Sequence, residues 1–544
     1  MESRFFAEVH AFATAGVNFA DLGTSARLGV VVKYFLTVVV LISCLGVRLA
    51  SGERINQEGR ILGALPVITN SILFNTTNAD AVVAAMQIFP ITSPWNEDVS
   101  RRPVLANSDA MIAQIISDLD PARRTLRAFK EMNFVLAPDS QPVVPINFFD
   151  YPEDSDLDGG TFPNGLYPIP ANMPVETWPS ETAGQTLTQW QQDANAWGGD
   201  RHSIIVKPGS GFCWETWQAK LVGSSWEASN GAKFNLNTNG LRPAGWTSGD
   251  AAGLPMFPAL PRFDECERGM VEHAMRIVVK RTRYNTYIYP ATHYASYATN
   301  TSVDLPAMGQ RIRLKQAFVI PANWMKEEKA VMLALKKYGA FVADNGNFFS
   351  ISVTPDDRWP AGCFDHFNSF SITNFEVIQT TGPAEGPRSP GAPAANAGPD
   401  QSGVPGVPVQ LSGYVSFTNT MPTTNLWKLY SEPANVTFAN AAQTNTTATF
   451  NAPGVYTLVL SAQDAVHAVA YDAVVVTVSA GITLTISRAG ADANLTWAGG
   501  SPPFIVERAD APSASFWSGV ITTSLQSVSV PIMGNAGFLR VKGN

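Results

Sequence analysis

Charged residues are scarce in this sequence, and their scarcity excludes several classes of protein. Only 15% of the residues are Asp, Glu, Lys or Arg, and the formal net charge is −8. Nucleic-acid binding needs Lys and Arg clustered on one face, and no stretch of the chain is dense in them. Beyond the N-terminus no apolar run approaches the roughly 20 residues of a membrane-spanning helix. We therefore expect no nucleic-acid partner, and membrane contact only through the N-terminus.

Cysteine is also rare, with four residues in a chain of 544. Cys44 lies in an apolar N-terminal run, which leaves Cys213, Cys266 and Cys363. This odd number allows one disulfide and one free thiol, or no disulfide. The chain has no C-x-x-C pair, no G-x-S-x-G turn and no glycine-rich loop followed by lysine. Zinc-knuckle, serine-hydrolase and nucleotide-binding functions are therefore disfavoured.

Glycine and proline, by contrast, are plentiful, with 42 and 38 residues. Thr, Ser, Asn and Val are also frequent, while strong helix formers are confined to short stretches. This composition is typical of a β-rich extracellular protein with many turns. The length of 544 residues exceeds what one hydrophobic core supports, and it indicates about two to four domains.

Residues 1–52 have the pattern of an export signal or an anchor. Lys33 precedes the apolar run Tyr34–Val47, and small residues follow as far as Gly52. This order predicts a secretory signal that is cleaved near Gly52. Two alternatives remain open, because Leu41–Cys44 loosely matches a bacterial lipoprotein box and an uncleaved run would anchor the chain. Each alternative predicts an extracellular or cell-surface location.

A stretch rich in proline and small residues marks the clearest domain boundary. Residues 381–393 have little to bury and are predicted to form a linker. They follow a region at 53–380 and precede two smaller modules, predicted at 394–479 and 480–544. The predicted fold class is mainly β: a jelly-roll-like sandwich with a few helices, an immunoglobulin-like sandwich and a small C-terminal β-sandwich.

Three motifs in residues 394–479 resemble a PKD-type, immunoglobulin-like module. They are Ala397–Asp400 at the start, Trp427 within a strand, and Ala452–Tyr456 leading into an alternating strand. The resemblance implies a β-sandwich for this segment. The short strands of residues 480–544 resemble a fibronectin-III-like module that is common in secreted bacterial proteins.

The region at 53–380 is predicted to contain many short antiparallel strands, a short helix at about residues 78–86 and two longer helices. Short apolar runs between Gly, Pro and Asn turns are clearest over residues 202–315. The longer helices are predicted at Ser108–Leu119, with its first residue as N-cap, and at Trp324–Tyr338, with Gly339 at C′. Asn345–Gly346 predicts a tight turn between two strands.

Several motifs of this region are similar to a largely uncharacterised family of secreted bacterial and fungal proteins. The similarity covers about residues 88–380, and the motifs are Gly240–Pro255, Pro290–His293, Met308–Arg311 and Leu335–Gly346. The resemblance implies one exported β domain and names no substrate.

His202 and Glu215 form the predicted acid–base pair. His202 starts a strand, and Glu215 lies on what is predicted to be the returning strand of a hairpin. Facing neighbours on two paired strands lie about 5 Å apart, so the two side chains could meet. A carboxylate would orient the imidazole and stabilise its charged form, which makes a general base. The alternative is a buried histidine bonded to a structural carboxylate.

A second group of residues has the chemistry of a carbohydrate-binding surface. Aromatic faces cover the apolar side of a sugar ring, while Arg and Asp bond hydroxyls or uronate carboxylates. The predicted substrate-binding residues of this kind are Arg242, Trp246, Asp250, Tyr289 and Tyr297. The alternative is that the aromatic side chains belong to the core of a β-sandwich.

His273 and His293 are predicted as further substrate contacts. With Glu215 or Asp250 they could instead supply metal ligands. Their spacing matches no standard motif, so no metal site is assigned to them and any cofactor is left open.

An acidic turn offers a separate metal hypothesis. Asp154, Asp156 and Asp158, followed by Gly159, match the first half of a calcium loop. Gly165 stands where such a loop needs a bidentate Glu, so a solvated acidic turn is the alternative.

These patterns predict an exported protein that acts at polysaccharide or a cell-surface glycan. A glycoside hydrolase or a lyase in the 53–380 region is the first hypothesis. The second is a non-catalytic carbohydrate-binding or adhesion protein of the cell surface. His366 and His467 have no partner nearby in sequence and are predicted to be structural.

Overall fold

A computed structural model describes residues 53–193, 200–295, 299–418, 421–431, 433–500, 502–533 and 537–543. The predicted export signal with Cys44 lies outside these described residues, and so does Tyr297. Within the described ranges no helix is both long and apolar enough to cross a membrane.

Short strands and a few helices build the N-terminal region, residues 53–380. Helices α1 to α5 are Thr77–Ala84, Ser108–Asp118, Leu187–Gln192, Phe263–Arg268 and Lys326–Lys337. Strands β1 to β17 are Arg54–Ile55, Ile61–Leu62, Ile72–Leu73, Leu126–Lys130, Val135–Leu136, Val144–Phe148, Asn164–Tyr167, Ser203–Lys207, Phe212–Trp217, Lys220–Val222, Ser225–Ala228, Asn230–Asn235, Met275–Val279, Arg311–Leu314, Ala340–Asn345, Phe349–Val353 and Phe375–Val377.

The sheet with strand order β12-β9-β8-β5-β3 is the middle layer of this region. Its side chains alternate between two hydrophobic clusters, as the period of two of a β-strand requires. Ile204 and Val206 pack in a cluster with the six-stranded sheet β17-β14-β15-β13-β16-β4 and with helices. Ile205, between them, packs in a cluster with the four-stranded sheet β10-β11-β6-β7. The layered, mainly β fold class predicted from the sequence is confirmed.

Strand direction is less uniform than predicted. The β8–β9 hairpin is antiparallel as expected, but the pairs β5–β8, β6–β11, β13–β15 and β4–β16 are parallel. The expectation of antiparallel strands is therefore wrong for these pairs. Parallel partners are joined by long connections, and no local turn signal marks them in the sequence.

Both longer predicted helices are present, and their ends differ slightly from the predictions. Asn107, not Ser108, is the N-cap of α2, because the Ser108 hydroxyl accepts a hydrogen bond from the Val377 amide at 2.9 Å. Gly339 follows α5 at φ +66°, the left-handed conformation expected at C′. The strands on either side of Asn345–Gly346 are not hydrogen-bonded to each other, because β13 lies between β15 and β16.

The next module is an immunoglobulin-like β-sandwich. Strands β18 to β26 are Ala394–Asn396, Gln401–Gly403, Val409–Ser412, Tyr414–Ser416, Thr424–Ser431, Val436–Phe438, Asn445–Phe450, Gly454–Gln463 and Ala470–Val478. The sheet β19-β26-β25-β22 and the sheet β20-β24-β23 enclose one cluster. Trp427 is fully buried in that cluster, and its indole donates to the Thr444 carbonyl at 3.1 Å.

A small sandwich ends the described chain. Strands β27 to β32 are Thr483–Ala489, Asp492–Ala498, Phe504–Ala509, Ser518–Thr523, Ser527–Pro531 and Phe538–Lys542. They form the sheets β27-β28-β31 and β30-β29-β32 around Leu495, Trp497, Phe504 and Val506.

Candidate functional site

His202 is bonded to a glutamate that the sequence analysis did not single out. Its ring Nδ1 lies 3.0 Å from Glu176 Oε2, and its Nε2 lies 2.8 Å from the Gly249 carbonyl oxygen. Burial alone would lower the pKa of His202, but the charge and hydrogen bond of Glu176 outweigh it and raise the pKa to about 9. The ring is therefore charged at neutral pH and buried, which favours the structural alternative for this residue.

Glu215 does not pair with His202, so that part of the prediction is wrong. In the β8–β9 hairpin Ile204 lies opposite Glu215, so Glu215 is offset from His202 by two register positions. The carboxylate instead accepts hydrogen bonds from the Met256 and Phe257 amides, each at 2.9 Å. Burial raises the pKa of Glu215 to about 7. The group is wholly buried and supports the backbone turn after Pro255.

Arg276 is the centre of a polar network at one end of the same layer. Its guanidinium makes two hydrogen bonds of 2.8 Å to Asp250. A third, of 2.7 Å, goes to the Ser352 hydroxyl, which donates to Glu131 Oε1 at 2.7 Å. Asp344 Oδ2 lies 3.5 Å from the guanidinium. We call Asp250, Arg276, Glu131 and Asp344 the Arg276 carboxyl cluster.

Two members of this cluster have strongly perturbed acidity. Desolvation, followed by the charge of Glu176, raises the pKa of Glu131 to about 7. Desolvation, followed by the charge of Asp250, raises the pKa of Asp344 to about 7. The Asp344 side chain keeps 24% of its surface exposed, and Glu131 is half-buried. Such carboxyls can hold or release a proton near neutral pH, as general acid–base groups must.

The Trp246–Asp250 loop connects this cluster to the other predicted residues. Below it, Asp250 binds Arg276 and the Gly249 carbonyl contacts His202. Beside it, the His293 Nδ1 lies 2.8 Å from the Ala251 carbonyl, and the Trp246 carbonyl accepts from the Thr292 hydroxyl. The structure thus brings Trp246, Asp250, His202 and His293 around one loop.

An aromatic pair borders the other side of the Trp246–Asp250 loop. Asn230 donates to the Ser248 carbonyl at 2.7 Å and is the register partner of Trp217 in the β9–β12 pair. Tyr151, 43% exposed, stacks on Trp217 with ring centroids 6.3 Å apart. Stacked aromatic rings at a surface suit the apolar face of a sugar.

Arg242 is occupied by the acidic turn. It is buried, bonds Asp156, and donates to the Asp154 carbonyl at 2.6 Å. Its guanidinium also lies 5.4 Å from the centre of the Trp246 ring. Arg242 therefore supports the surface near Trp246 from inside.

The acidic turn is neutralised by the protein itself. Asp156 is bonded to Arg242, and Asp158 accepts from the Lys233 ammonium at 2.5 Å and the Trp214 indole at 2.8 Å. Among the described residues no group of three or more His, Cys, Asp or Glu side chains is arranged to hold a metal ion. Two of the three carboxylates that the calcium hypothesis needs, those of Asp156 and Asp158, already face cations.

Two predicted substrate contacts lie elsewhere. The His273 Nε2 lies 3.2 Å from Glu265 in a separate buried network that includes Arg262. Tyr289 packs beneath Arg388, with the guanidinium 5.2 Å from its ring centre. Among the described residues, no hydrogen bond or ion pair joins either residue to the Trp246–Asp250 loop or the Arg276 carboxyl cluster.

All three cysteines outside the N-terminal run are free thiols. Cys213, Cys266 and Cys363 are buried and unpaired by any disulfide. Burial raises the pKa of each thiol, so none has the thiolate character of a nucleophile.

Sequence reasoning missed Glu131, Glu176, Arg276 and Asp344. Glu131 follows β4, Glu176 lies in a turn, and Arg276 and Asp344 lie within β13 and β15; no motif or spacing links them. One signal in the sequence could have indicated Arg276. It is a charged residue inside the apolar run of β13, and charged residues are rarely buried without a partner.

Comparison with known proteins concerns parts of the chain only. No known family model matches the sequence, and no curated protein matches it. A PKD domain from the KIAA 1837 protein is 27% identical, covering 15% of this chain and 83% of that one, with a TM-score of 0.14. A PKD domain from human KIAA0319 is 19% identical, covering 18% and 91%, with a TM-score of 0.16.

A third solved structure matches a longer part of this chain. A nucleoside hydrolase-related hypothetical protein from Saccharophagus degradans, associated with carbohydrate metabolism, is 17% identical. The match covers 28% of this chain and 38% of that chain, with a TM-score of 0.16. All three similarities are limited to module-sized parts of the chain.

Proposed function

We propose that this chain is an exported protein that acts at polysaccharide, with acid–base chemistry carried by Glu131 and Asp344. The supporting observation is the Arg276 carboxyl cluster, in which Asp344 lies 3.5 Å from one buried guanidinium and Glu131 is joined to the same guanidinium through the Ser352 hydroxyl. Glycoside hydrolysis uses two carboxyl groups, one of which is kept protonated by its surroundings. A polysaccharide lyase would use one of them as the base.

The aromatic pair and the Trp246–Asp250 loop would position the sugar chain. The Tyr151–Trp217 pair offers a stacking face on one side of the loop. Trp246 begins the loop, and His293 contacts the Ala251 carbonyl just after it. His202 and Glu215 have structural roles in this proposal: His202 holds the loop through the Gly249 carbonyl, and Glu215 holds the Met256 turn.

The second candidate is a non-catalytic glycan-binding or adhesion protein of the cell surface. The observation that favours it is the burial of His202, Glu215 and Asp250, each paired inside the fold. In that case the carboxyl cluster only ties β13 to its neighbours.

Activity measurements on matched variants distinguish the two candidates. The purified chain is incubated with a panel of neutral and uronic-acid polysaccharides, with and without chelator, and reducing ends and unsaturated products are measured. Glu131→Gln and Asp344→Asn are expected to lower cleavage at least about 100-fold, as loss of a general acid–base group does. Asp109→Asn, on the exposed side of α2, is the control and should cleave normally.

Two results would contradict the catalytic proposal. One is cleavage that is unchanged in both carboxyl variants. The other is wild-type protein that binds an insoluble polysaccharide in a pull-down but cleaves no member of the panel, which would establish the binding function instead.

A further inference from the structure

A cavity of about 470 Å³ lies between the immunoglobulin-like module and the N-terminal region. Its floor is the outer face of the sheet formed by β22, β25 and β26, where Leu426 faces Ser461 and Lys428 faces Val459 in register. Its other wall is the Glu58–Arg60 turn of the β1–β2 hairpin together with Glu272. The volume falls within the roughly 300–1,000 Å³ of small-ligand sites, which occur preferentially between domains.

Of the charged side chains that line this cavity, all but one are paired with a side chain of opposite charge. Glu58 binds the Lys337 ammonium at 2.7 Å, and Glu272 binds the Arg60 guanidinium at 2.7 Å. Lys428 is exposed on β22, and no ion pair or hydrogen bond to its ammonium occurs among the described residues. The cavity therefore presents one uncompensated positive charge.

Two tyrosines give the cavity an aromatic wall. Tyr430 is 43% exposed, and its hydroxyl accepts a hydrogen bond from the Ile61 amide at 3.0 Å. Its hydroxyl proton therefore stays available to an acceptor. Tyr471 packs against Gly59 so closely that a Cβ there would lie 3.0 Å from its ring. Asn425, Ser461 and Gln463 add neutral polar groups to the lining.

We propose that this cavity binds a short oligosaccharide that carries uronic-acid carboxylates. Lys428 would pair with a carboxylate, Tyr430 would cover the apolar face of one ring, and the amide and hydroxyl side chains would bond sugar hydroxyls. An extended peptide is a poorer fit, because peptides add to the edge of a sheet through backbone hydrogen bonds, whereas this cavity presents side chains of a sheet face. The site is separate from the Arg276 carboxyl cluster and does not depend on cleavage there.

Calorimetric titration of the full chain tests the proposal. The probes are the α-1,4-linked tetramer of galacturonic acid and, as the neutral match, cellotetraose. We expect the acidic tetramer to bind more tightly than the neutral one and to bind less tightly as salt is added. Lys428→Gln should weaken binding of the acidic tetramer about tenfold and leave weak binding of the neutral tetramer unchanged.

Matched variants assign the binding to this cavity. Tyr430→Ala should weaken binding of the acidic tetramer, while Tyr414→Ala, at a more exposed tyrosine of the same module outside the cavity, should not. Asp109→Asn, on the exposed side of α2, should bind normally. Loss of cleavage in the carboxyl variants and loss of binding in the Lys428 and Tyr430 variants are separate results, so failure of the catalytic proposal and failure of this one are distinguishable. Equal affinity for both tetramers, undiminished binding by Lys428→Gln, or no binding of the acidic tetramer would each overturn the assignment.

Discussion

At the scale of single residues, the N-terminal region keeps its buried charges in pairs. Arg276 is shared between Asp250 and Asp344, while His202 is held by Glu176. A charge removed from water costs several kcal/mol unless a partner of good geometry compensates. Removing one partner of such a buried pair should therefore lower the stability of the fold far more than removing one partner of a surface pair.

The His202–Glu176 pair makes a prediction about pH and stability. The folded pKa of His202, about 9, lies above the ordinary value of 6.5, so its stabilising contribution is full below about pH 6.5 and is lost as pH rises through 9. Glu176→Gln should lower stability by about 3 kcal/mol at pH 6 and by clearly less at pH 9.5. Scanning calorimetry of the N-terminal transition at the two pH values measures this.

Glu267→Gln is the control for that comparison. Glu267 is 55% exposed and paired with Lys326 on the surface, so its replacement should cost little at either pH. A loss of stability in Glu176→Gln that is the same at pH 6 and pH 9.5 would show that the charge on His202 contributes nothing.

At the scale of elements, β12 of the five-stranded middle sheet packs closely against the four-stranded sheet β10-β11-β6-β7. This close approach sets the distance between the two sheets. Gly231 makes that approach possible, because a Cβ there would lie 2.5 Å from both Phe148 Cζ and the Tyr167 hydroxyl oxygen. The same strand carries Asn230, which holds the Trp246–Asp250 loop. Packing at this strand therefore bears on the candidate site as well as on stability.

Gly231→Ala is expected to destabilise the N-terminal region by about 1–3 kcal/mol, since the added methyl group overpacks a dense core. The measurement is the shift of the thermal transition of this region. Gly63→Ala is the matched control, because its Cβ would meet no atom within 4 Å and its φ is ordinary. Equal shifts in the two variants would refute the close-approach explanation.

At the scale of the whole molecule, residues 381–393 are held against both neighbours. Arg388 reaches Glu97 at 3.1 Å and the Thr92 carbonyl at 2.9 Å. The His467 Nε2 lies 2.9 Å from the Ser389 hydroxyl, while its Nδ1 lies 2.7 Å from Asp464. The expectation that His467 has no partner nearby in sequence is wrong, because Asp464 lies three residues earlier. Its other partner, Ser389, lies in the segment predicted as a linker.

The Asp464–His467–Ser389 contacts have the order of a hydrolytic triad without its chemistry. The Ser389 hydroxyl lies 2.6 Å from the Gly386 carbonyl and donates its proton there. The His467 Nε2 also lies 3.0 Å from the Ser389 carbonyl, so this nitrogen is shared between two oxygens of the same residue. The contacts therefore hold the junction together.

His467→Ala should open this junction to protease. Trypsin cleavage after Arg388 is expected to become about tenfold faster, because the rate of such cleavage follows the population of the locally opened form. Mass spectrometry of timed digests measures it. Cleavage after the exposed Arg488, in the C-terminal module, is the internal control and should keep its rate. An unchanged rate at Arg388 would contradict a holding role for His467.

Local sequence patterns were sufficient to predict individual helices and strands. They were insufficient to predict which strands pair with each other. The amphipathic helix at Ser108–Asp118 and the β8–β9 hairpin follow from periodicity and turn residues, which act over a few positions. Asn345–Gly346 predicts a tight turn that pairs the two strands beside it. In the structure β13, some 65 residues earlier in the chain, lies between those strands. Nothing within a local window could indicate that insertion.

The sequence by itself determined that this protein is mainly β, with an immunoglobulin-like module around Trp427, because composition and alternation depend on neighbouring residues alone. It also pointed to the chain around His202 and Asp250. Only the tertiary structure decided which charges meet there, replacing the expected His202–Glu215 pair with Glu176 and the Arg276 carboxyl cluster. The reason is physical: a buried charge takes whichever partner the packed layers bring within hydrogen-bond distance, and sequence separation sets no limit on that choice.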